Sequence, residues 1–295
     1  MTPPCPHCEL TSESPESRTS ALSVIRTGHF YRQSDTQRVQ RFRCLRCLKN
    51  FSEATLQPCY WQKKRHLNTQ VRNLLCSCVS QRRTALLLTL NRKTVVQKFR
   101  FLAQQAALWM DDNRPPSPLS HFQFDDMETH EHTKCKPLSI TIAVEHATRR
   151  ILGIEVSVMP AKGTLAALSR KKYGPRPDER PQARKALFAR LKAFIAPIAL
   201  IQSDQNPHYR EDVKKHFPEA RHETFKGRRG AIVGQGELKK IGFDPLFSLN
   251  HTCAMIRDNV NRLKRKTWAT TKKAERLAAH LILYAQFHNE VLLKI

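Results

Sequence analysis

Two C-x-x-C pairs constrain this chain more than any other feature. Cys5 and Cys8 form one, Cys44 and Cys47 the other, with 35 residues between them. The two-residue gap lets both sulfurs of a pair face one point, so two pairs can surround a single zinc ion tetrahedrally. The intervening segment reads as a ribbon: Val24-Ile25 and Phe30-Tyr31 flank an expected turn at Gly28, and Val39 to Phe42 alternates apolar with basic residues. So few apolar side chains cannot fold this segment unaided, which makes the expected zinc structural. Residues 1–55 are therefore expected to be a zinc ribbon. Cys59, Cys76, Cys78, Cys135 and Cys253 lack such pairing and read as packing residues.

The charge narrows the choice of partner. Across 295 residues, 51 lysines and arginines oppose 25 acidic residues, giving a net charge of +26 and a pI near 10.2. That excess argues against an enzyme for small neutral metabolites and for a polyanion, since phosphate neutralisation with counterion release rewards many cations. A hydrophobic content of 40% suffices for a packed core. Apolar runs such as Leu86-Leu87-Leu88 fall far short of the ~20 residues of a membrane span. Met1 to Cys5 shows neither the charged nor the apolar region of a secretory leader.

Residues 1–110 hold eighteen basic and five acidic residues. In the ribbon, Arg38, Arg41, Arg43, Arg46 and Lys49 alternate with Phe42 and Phe51, a mixture suited to nucleic acid. From 56 to 110 the pattern is helical. Leu67, Val71, Leu74 and Leu75 recur at helical spacing, Ser80 can cap a second helix, and Asn91 a third. In the third, Val95, Val96, Phe99 and Leu102 are expected inside, with Arg92, Lys93, Gln97, Lys98 and Arg100 outside. Ser80 to Val96 resembles the helix-turn-helix of recombinases and transposases, which implies that Arg92, Lys93, Thr94 and Gln97 meet double-stranded DNA. Its turn has Leu88-Thr89 where a glycine is usual.

Asp111 to Pro118 has linker composition, so a linker is expected over 111–120 and a further domain over 121–295. That domain reads as strands at 121–124, 138–144 and 151–158, a helix at 181–195, and a strand at 197–201 followed by Ser203-Asp204. A helix near 208–216, a strand near 221–225 and a Gly-rich stretch at 227–244 come next. Helices at about 250–266 and 273–290 close the chain. This order is that of a ribonuclease H-like α/β domain. In such a domain, aspartates after the first and fourth strands lie together and, with a third ligand from a late helix, hold two Mg²⁺ or Mn²⁺ ions. Asp125 and Asp204 stand at those two places.

Zinc ribbon, helix-turn-helix and strand-borne aspartate, in that order, resemble the transposases of the small bacterial insertion sequences numbered first in their classification. Phe124-Asp125-Asp126-Met127 resembles the family's Asp-Glu-Met motif, with Asp126 in the glutamate's place. Ser203-Asp204-Gln-Asn-Pro-His-Tyr209 resembles its second Asp followed by an aromatic. Arg262-Leu263-x-Arg265-Lys266-Thr267 resembles its arginine-rich helix. The resemblance implies a cytoplasmic, nucleoid-associated enzyme that binds inverted repeats and cuts and joins DNA as a homodimer or larger assembly.

Counting back from Arg265-Lys266-Thr267 puts the family's catalytic glutamate on Asn250. Three readings stay open: Asn250 is a variant third ligand, Glu237 replaces it, or the site is inactive or differently aligned. Asn250 also suits a helix N-cap. Arg257, Arg262, Lys266 and Lys272, expected on one helix and its exit, are candidates for DNA phosphates. Asp126, Glu128, Glu145 and His208 read as surface groups, with Asp126 on the face opposite Asp125. A DNA-binding repressor that has lost catalysis, and a nuclease without end specificity, are the alternative functions.

Overall fold

A computed structural model of the chain describes residues 2–9, 23–115, 117–226, 244–264 and 270–294. They form two compact units, residues 1–69 and 70–295.

The first unit holds a short helical turn, α1 (Pro6–Glu9), and three antiparallel strands, β1 (Val24–Arg32), β2 (Gln37–Cys44) and β3 (Asn50–Ser52), in that spatial order. Gly28 is not the hairpin turn. It sits inside β1 with φ +94° where the register slips between Arg26 and His29, so it forms a bulge, and the turn falls at residues 33–36. Val24, Phe42 and Phe51 pack with Cys5 and Cys44 into a small core, Phe42 stacking on Phe51 at 5.3 Å between ring centres. These phenylalanines are structural, so they do not present faces to bases as their place among the arginines suggested.

The second unit opens with α2 (Asn68–Leu75, whose first residues precede the division), α3 (Gln81–Leu87) and α4 (Arg92–Asp112). Both expected caps form: the Ser80 side chain accepts from the Arg83 N–H and the Asn91 side chain from the Lys93 N–H. Between α3 and α4 the glycine's usual place is filled by Thr89 in the left-handed region, φ +49°. Val95, Phe99, Ala103 and Ala106 are buried along α4, and so is Lys98, which the helical pattern had put outside.

A five-stranded sheet follows, in the spatial order β6-β5-β4-β7-β8. Its strands are β4 (Leu119–His130), β5 (Pro137–Glu145), β6 (Ile151–Val158), β7 (Ile195–Asp204) and β8 (Arg221–Phe225), and its helices α5 (Leu165–Tyr173), α6 (Arg180–Leu191) and α7 (Pro207–His216). β4, β5 and β6 run antiparallel in sequence, whereas β7 and β8 run parallel to β4. On one face Phe122 and Phe124 pack with Leu187, Phe188, Tyr209 and Val213 from α6 and α7. Gly153 allows close packing there, because a Cβ at this position would meet Leu187 Cδ1 at 2.5 Å. On the opposite face lies α8 (Phe247–Asn259), and α9 (Ala274–Glu290) packs along both β6 and α4.

The helices after residue 69 are therefore not a separate module. Arg72 pairs with Glu290 at 2.6 Å, the Cys78 N–H donates to the Asn259 carbonyl at 2.7 Å, and His280 Nε2 meets the Leu75 carbonyl at 2.9 Å. The division falls at 69/70 rather than at 55 and 111–120. The described residues of the expected linker carry the chain from α4 into β4. Among the described residues no helix is long and apolar enough to cross a membrane.

Candidate metal centre and acidic site

In the first unit, the Sγ atoms of Cys5, Cys8, Cys44 and Cys47 all lie within 4.8 Å of one another. Cys5 to Cys47 is 3.6 Å and Cys8 to Cys44 is 3.7 Å. Four sulfurs tetrahedrally arranged about zinc at ~2.3 Å stand about 3.8 Å apart, so the cluster suits a structural metal ion such as zinc. Its electrostatics agree. Backbone N–H groups of Cys47 and Arg46 help draw the Cys44 thiol down to about 7. Burial first, and then the neighbouring sulfurs, push Cys5 and Cys8 up. Holding all four as thiolates in so small a space would take a cation.

The acidic site is built by two parallel strands. The β4–β7 ladder pairs His121 with Leu200, Phe122 with Ile201 and Gln123 with Gln202. Asp125 and Asp204 lie two residues beyond the last of these pairs. Alternation puts them on the face that carries Gln123 and Gln202, whose side chains meet, Nε2 to Oε1, at 2.9 Å. β7 ends at Asp204, but β4 does not end at Asp125: it runs on to His130, paired with β5. The strand was longer than its charged residues suggested.

Asp125 is pushed up to about 7, by burial first and then by the charge of Asp204. Its Oδ1 accepts from the Tyr209 hydroxyl at 3.1 Å and from the Asp126 N–H at 2.7 Å. Asp204 Oδ1 accepts from the Asn206 N–H at 2.9 Å. Among the described residues, each carboxylate thus has Oδ1 held by the protein and no hydrogen-bond partner on Oδ2. Two hard oxygen donors of like charge suit a divalent cation such as Mg²⁺. A cleft of about 460 Å³ opens at Asp204, lined also by Lys162, Arg180, Gln205, Asn206 and His208.

Asn250 lies on α8, the helix over this face. Gln123 ties that helix down: its Oε1 accepts from the Leu249 N–H at 3.0 Å, and its Nε2 donates to the Pro245 carbonyl at 2.7 Å. One turn on, burial and the charge of Asp125 push the Cys253 thiol up to about 12. Asn250 itself is exposed, and its Nδ2 donates to Asp244 Oδ2 at 2.9 Å. The structure thus brings Asp125 and Asp204 together and places Asn250 on the adjacent helix, with its amide directed to Asp244. Glu237 lies outside the described residues.

Asp126 is on the opposite face, as alternation required, but it is not a surface group. Its carboxylate pairs at 3.0 Å with Arg184, whose side chain is 3% exposed, and also accepts from Thr141. Arg184 pairs with Asp212 too and lies over the Tyr209 ring. Glu128 pairs with Lys162 at 2.5 Å, and Glu145 accepts from Thr148.

Of the candidate DNA contacts, Arg92, Lys93 and Gln97 are exposed at the start of α4, and Thr94 is half-buried. Arg257 is exposed on the last turn of α8. Arg262 is not on that helix, which ends at Asn259; it stands half-buried in a 3-10 turn, over the Phe99 ring at 5.8 Å. An open, phosphate-tracking position for Arg262 is thereby corrected. Lys266, with the Arg265-Lys266-Thr267 motif, lies outside the described residues. Gln123, Arg184 and the pair Lys162/Arg180 carried no sequence signal beyond composition. Neither a protein-family model nor a curated protein matches the chain.

Proposed function

We propose that this chain is a DNA transposase with a ribonuclease H-like catalytic domain and a zinc-bound ribbon. One observation carries the reading: Asp125 and Asp204 share a face where β7 stops beside β4, each with one oxygen held and the other without a partner among the described residues. The sheet supports it, with the first strand central, a hairpin on one side and parallel strands on the other. So does the excess of +26.

Asp125 and Asp204 would hold Mg²⁺ or Mn²⁺, two ions of which would supply activation of the attacking oxygen and stabilisation of the leaving one at a phosphodiester. Tyr209 and the Asp126 N–H fix the Asp125 carboxylate, while Gln123 fixes α8 above it. Arg92, Lys93, Thr94 and Gln97 would read the repeat in the major groove. Joining two ends requires at least two copies.

The test is strand nicking of a plasmid carrying this gene's own flanking DNA, with Mg²⁺ or Mn²⁺, by wild type, Asp125→Ala and Asp204→Ala. Metal-dependent nicking at the element ends, lost in both variants, is the expected result. Nicking without end specificity would make the protein a nuclease. The exposed Asn250, neutral and bonded to Asp244, favours a second reading, a repressor that kept the scaffold; tight end binding with no nicking would establish it.

A further inference from the structure

The connection between β6 and α6 has no role in the mechanism above. From Met159 to Pro177 it contains five cations, Lys162, Arg170, Lys171, Lys172 and Arg176, and no acidic residue. It carries α5, a helix with only one fully buried side chain, Ser169. Arg170, Lys171 and Lys172 are all exposed on its last turn.

The helix is nonetheless firmly placed. The Ser169 hydroxyl donates to the Cys135 carbonyl at 2.6 Å, and the Tyr173 ring meets His132 edge-on at 6.2 Å. Cys135 and His132 belong to the turn joining β4 to β5, beyond Asp125 along β4. The segment is thus fixed at the end of the sheet where the parallel strands finish, the end at which open α/β sheets bind ligands. At its two ends, Lys162 and Arg180 line the cleft that contains Asp204. Lys162 is held there by an exposed pair with Glu128, and Arg180 by Asp178. The Lys162–Glu128 pair is exposed and therefore weak, which leaves Lys162 able to turn to a phosphate, whereas Arg180 is held by two bonds to Asp178 and adds its charge to the cleft.

We infer that residues 159–180 form a DNA-backbone surface, with α5 as its outer part and Lys162 and Arg180 as its inner part, which leads a strand to Asp125 and Asp204. The inference rests on the proposed function for the identity of the chemistry, but binding to this surface is measurable without it. Duplex phosphates suit it because residues 159–177 carry five cations and no acid, and the two acids that follow are engaged within the protein, Asp178 with Arg180 and Glu179 with the Val158 N–H.

The experiment compares the full-length protein with the triple variant Arg170→Ala/Lys171→Ala/Lys172→Ala. The control, Lys214→Ala/Lys215→Ala, changes exposed cations at the far end of α7. Binding to a short random-sequence duplex is followed against salt. Each lost phosphate contact lowers the slope of log K against log[salt] by about 0.9, so the triple variant is expected to lose about 2 to 3 and the control nothing. Unchanged thermal unfolding excludes misfolding. A photo-crosslinker at Lys171→Cys is expected to capture DNA near the cut site. An unaltered slope in the triple variant, or an equal loss in the control, overturns the inference. If wild type nicks and the triple variant nicks equally well, the surface fails and the transposase reading stands. If wild type binds but never nicks, while the triple variant loses its slope, the transposase reading fails and the surface stands.

Discussion

Gln123 and Gln202 meet across two parallel strands, Nε2 to Oε1 at 2.9 Å, directly beneath Asp125 and Asp204. Gln123 is fully buried and also binds the Leu249 N–H and the Pro245 carbonyl, so one side chain joins both acidic strands to the helix above them. Gln123→Leu would leave these groups unpaired at a cost of about 2–4 kcal/mol. Urea denaturation should show a lower midpoint. A midpoint equal to wild type would remove Gln123 from this role.

Asp125 makes the stability depend on pH. Its folded value is raised to about 7, so the folded chain keeps a proton that the unfolded chain has released. Stability from this group is full below the unfolded value, ~3.9, and falls as pH rises toward 7, by a few kcal/mol at about 1.4 per unit of difference. Zinc-loaded protein without other divalent ions should weaken over that window. Asp125→Asn should remove the dependence and exceed wild type at pH 8, and added Mn²⁺ should restore wild type. A flat wild-type profile would contradict the burial and the repulsion together.

Arg184 is buried between Asp126 and Asp212. Arg184→Ala would leave Asp126 buried without its cation, costing about 3–5 kcal/mol. Adding Asp126→Asn should recover part of that loss by removing the orphaned charge. Thermal melts of the single and double variants decide it, and a double variant less stable than the single one would refute the account.

The thiolate cluster predicts selective damage. Cys44→Ser should lower zinc content and abolish the folded signals of β1 to β3, because the small core of that unit is built around the four sulfurs. The second unit should melt as before. Loss of both transitions together would show that the sheet unit also needs the metal.

Thr89 holds a left-handed turn with φ +49°. That conformation costs an ordinary residue about 1–2 kcal/mol. Glycine would avoid it, while gaining about 0.4–1 kcal/mol of unfolded-state freedom. Thr89→Gly should therefore stabilise the second unit by up to about 1 kcal/mol, measured by urea denaturation. A destabilised variant would mean that the hydroxyl or methyl group does more than fill the turn.

What the sequence disclosed divides along physical lines. Cysteine spacing located the four sulfurs because a knuckle is a local geometry. Alternation put Asp125 and Asp126 on opposite faces, and the β-branched runs located β5, β6 and β7. Long-range polar partners were hidden: Asp126 looked like a surface acid until Arg184, 58 residues on, was placed against it. Lys98 and Arg262 looked solvent-facing because a helical pattern does not reveal which long side chain folds back onto the protein, as Arg262 does over the Phe99 ring. α5 went unseen because its exposed Leu168 and buried Ser169 invert the usual amphipathic order.

α9 lies against both α4 and β6, so among the described residues it braces α4, which begins at Arg92, against the sheet that carries the acidic strands. On the proposed function, a duplex gripped at Arg92 and cut at Asp204 by the same copy would find little give in the protein between those points. The compliance would have to come from the nucleic acid, so easily kinked base steps between the grip and the cut would favour reaction.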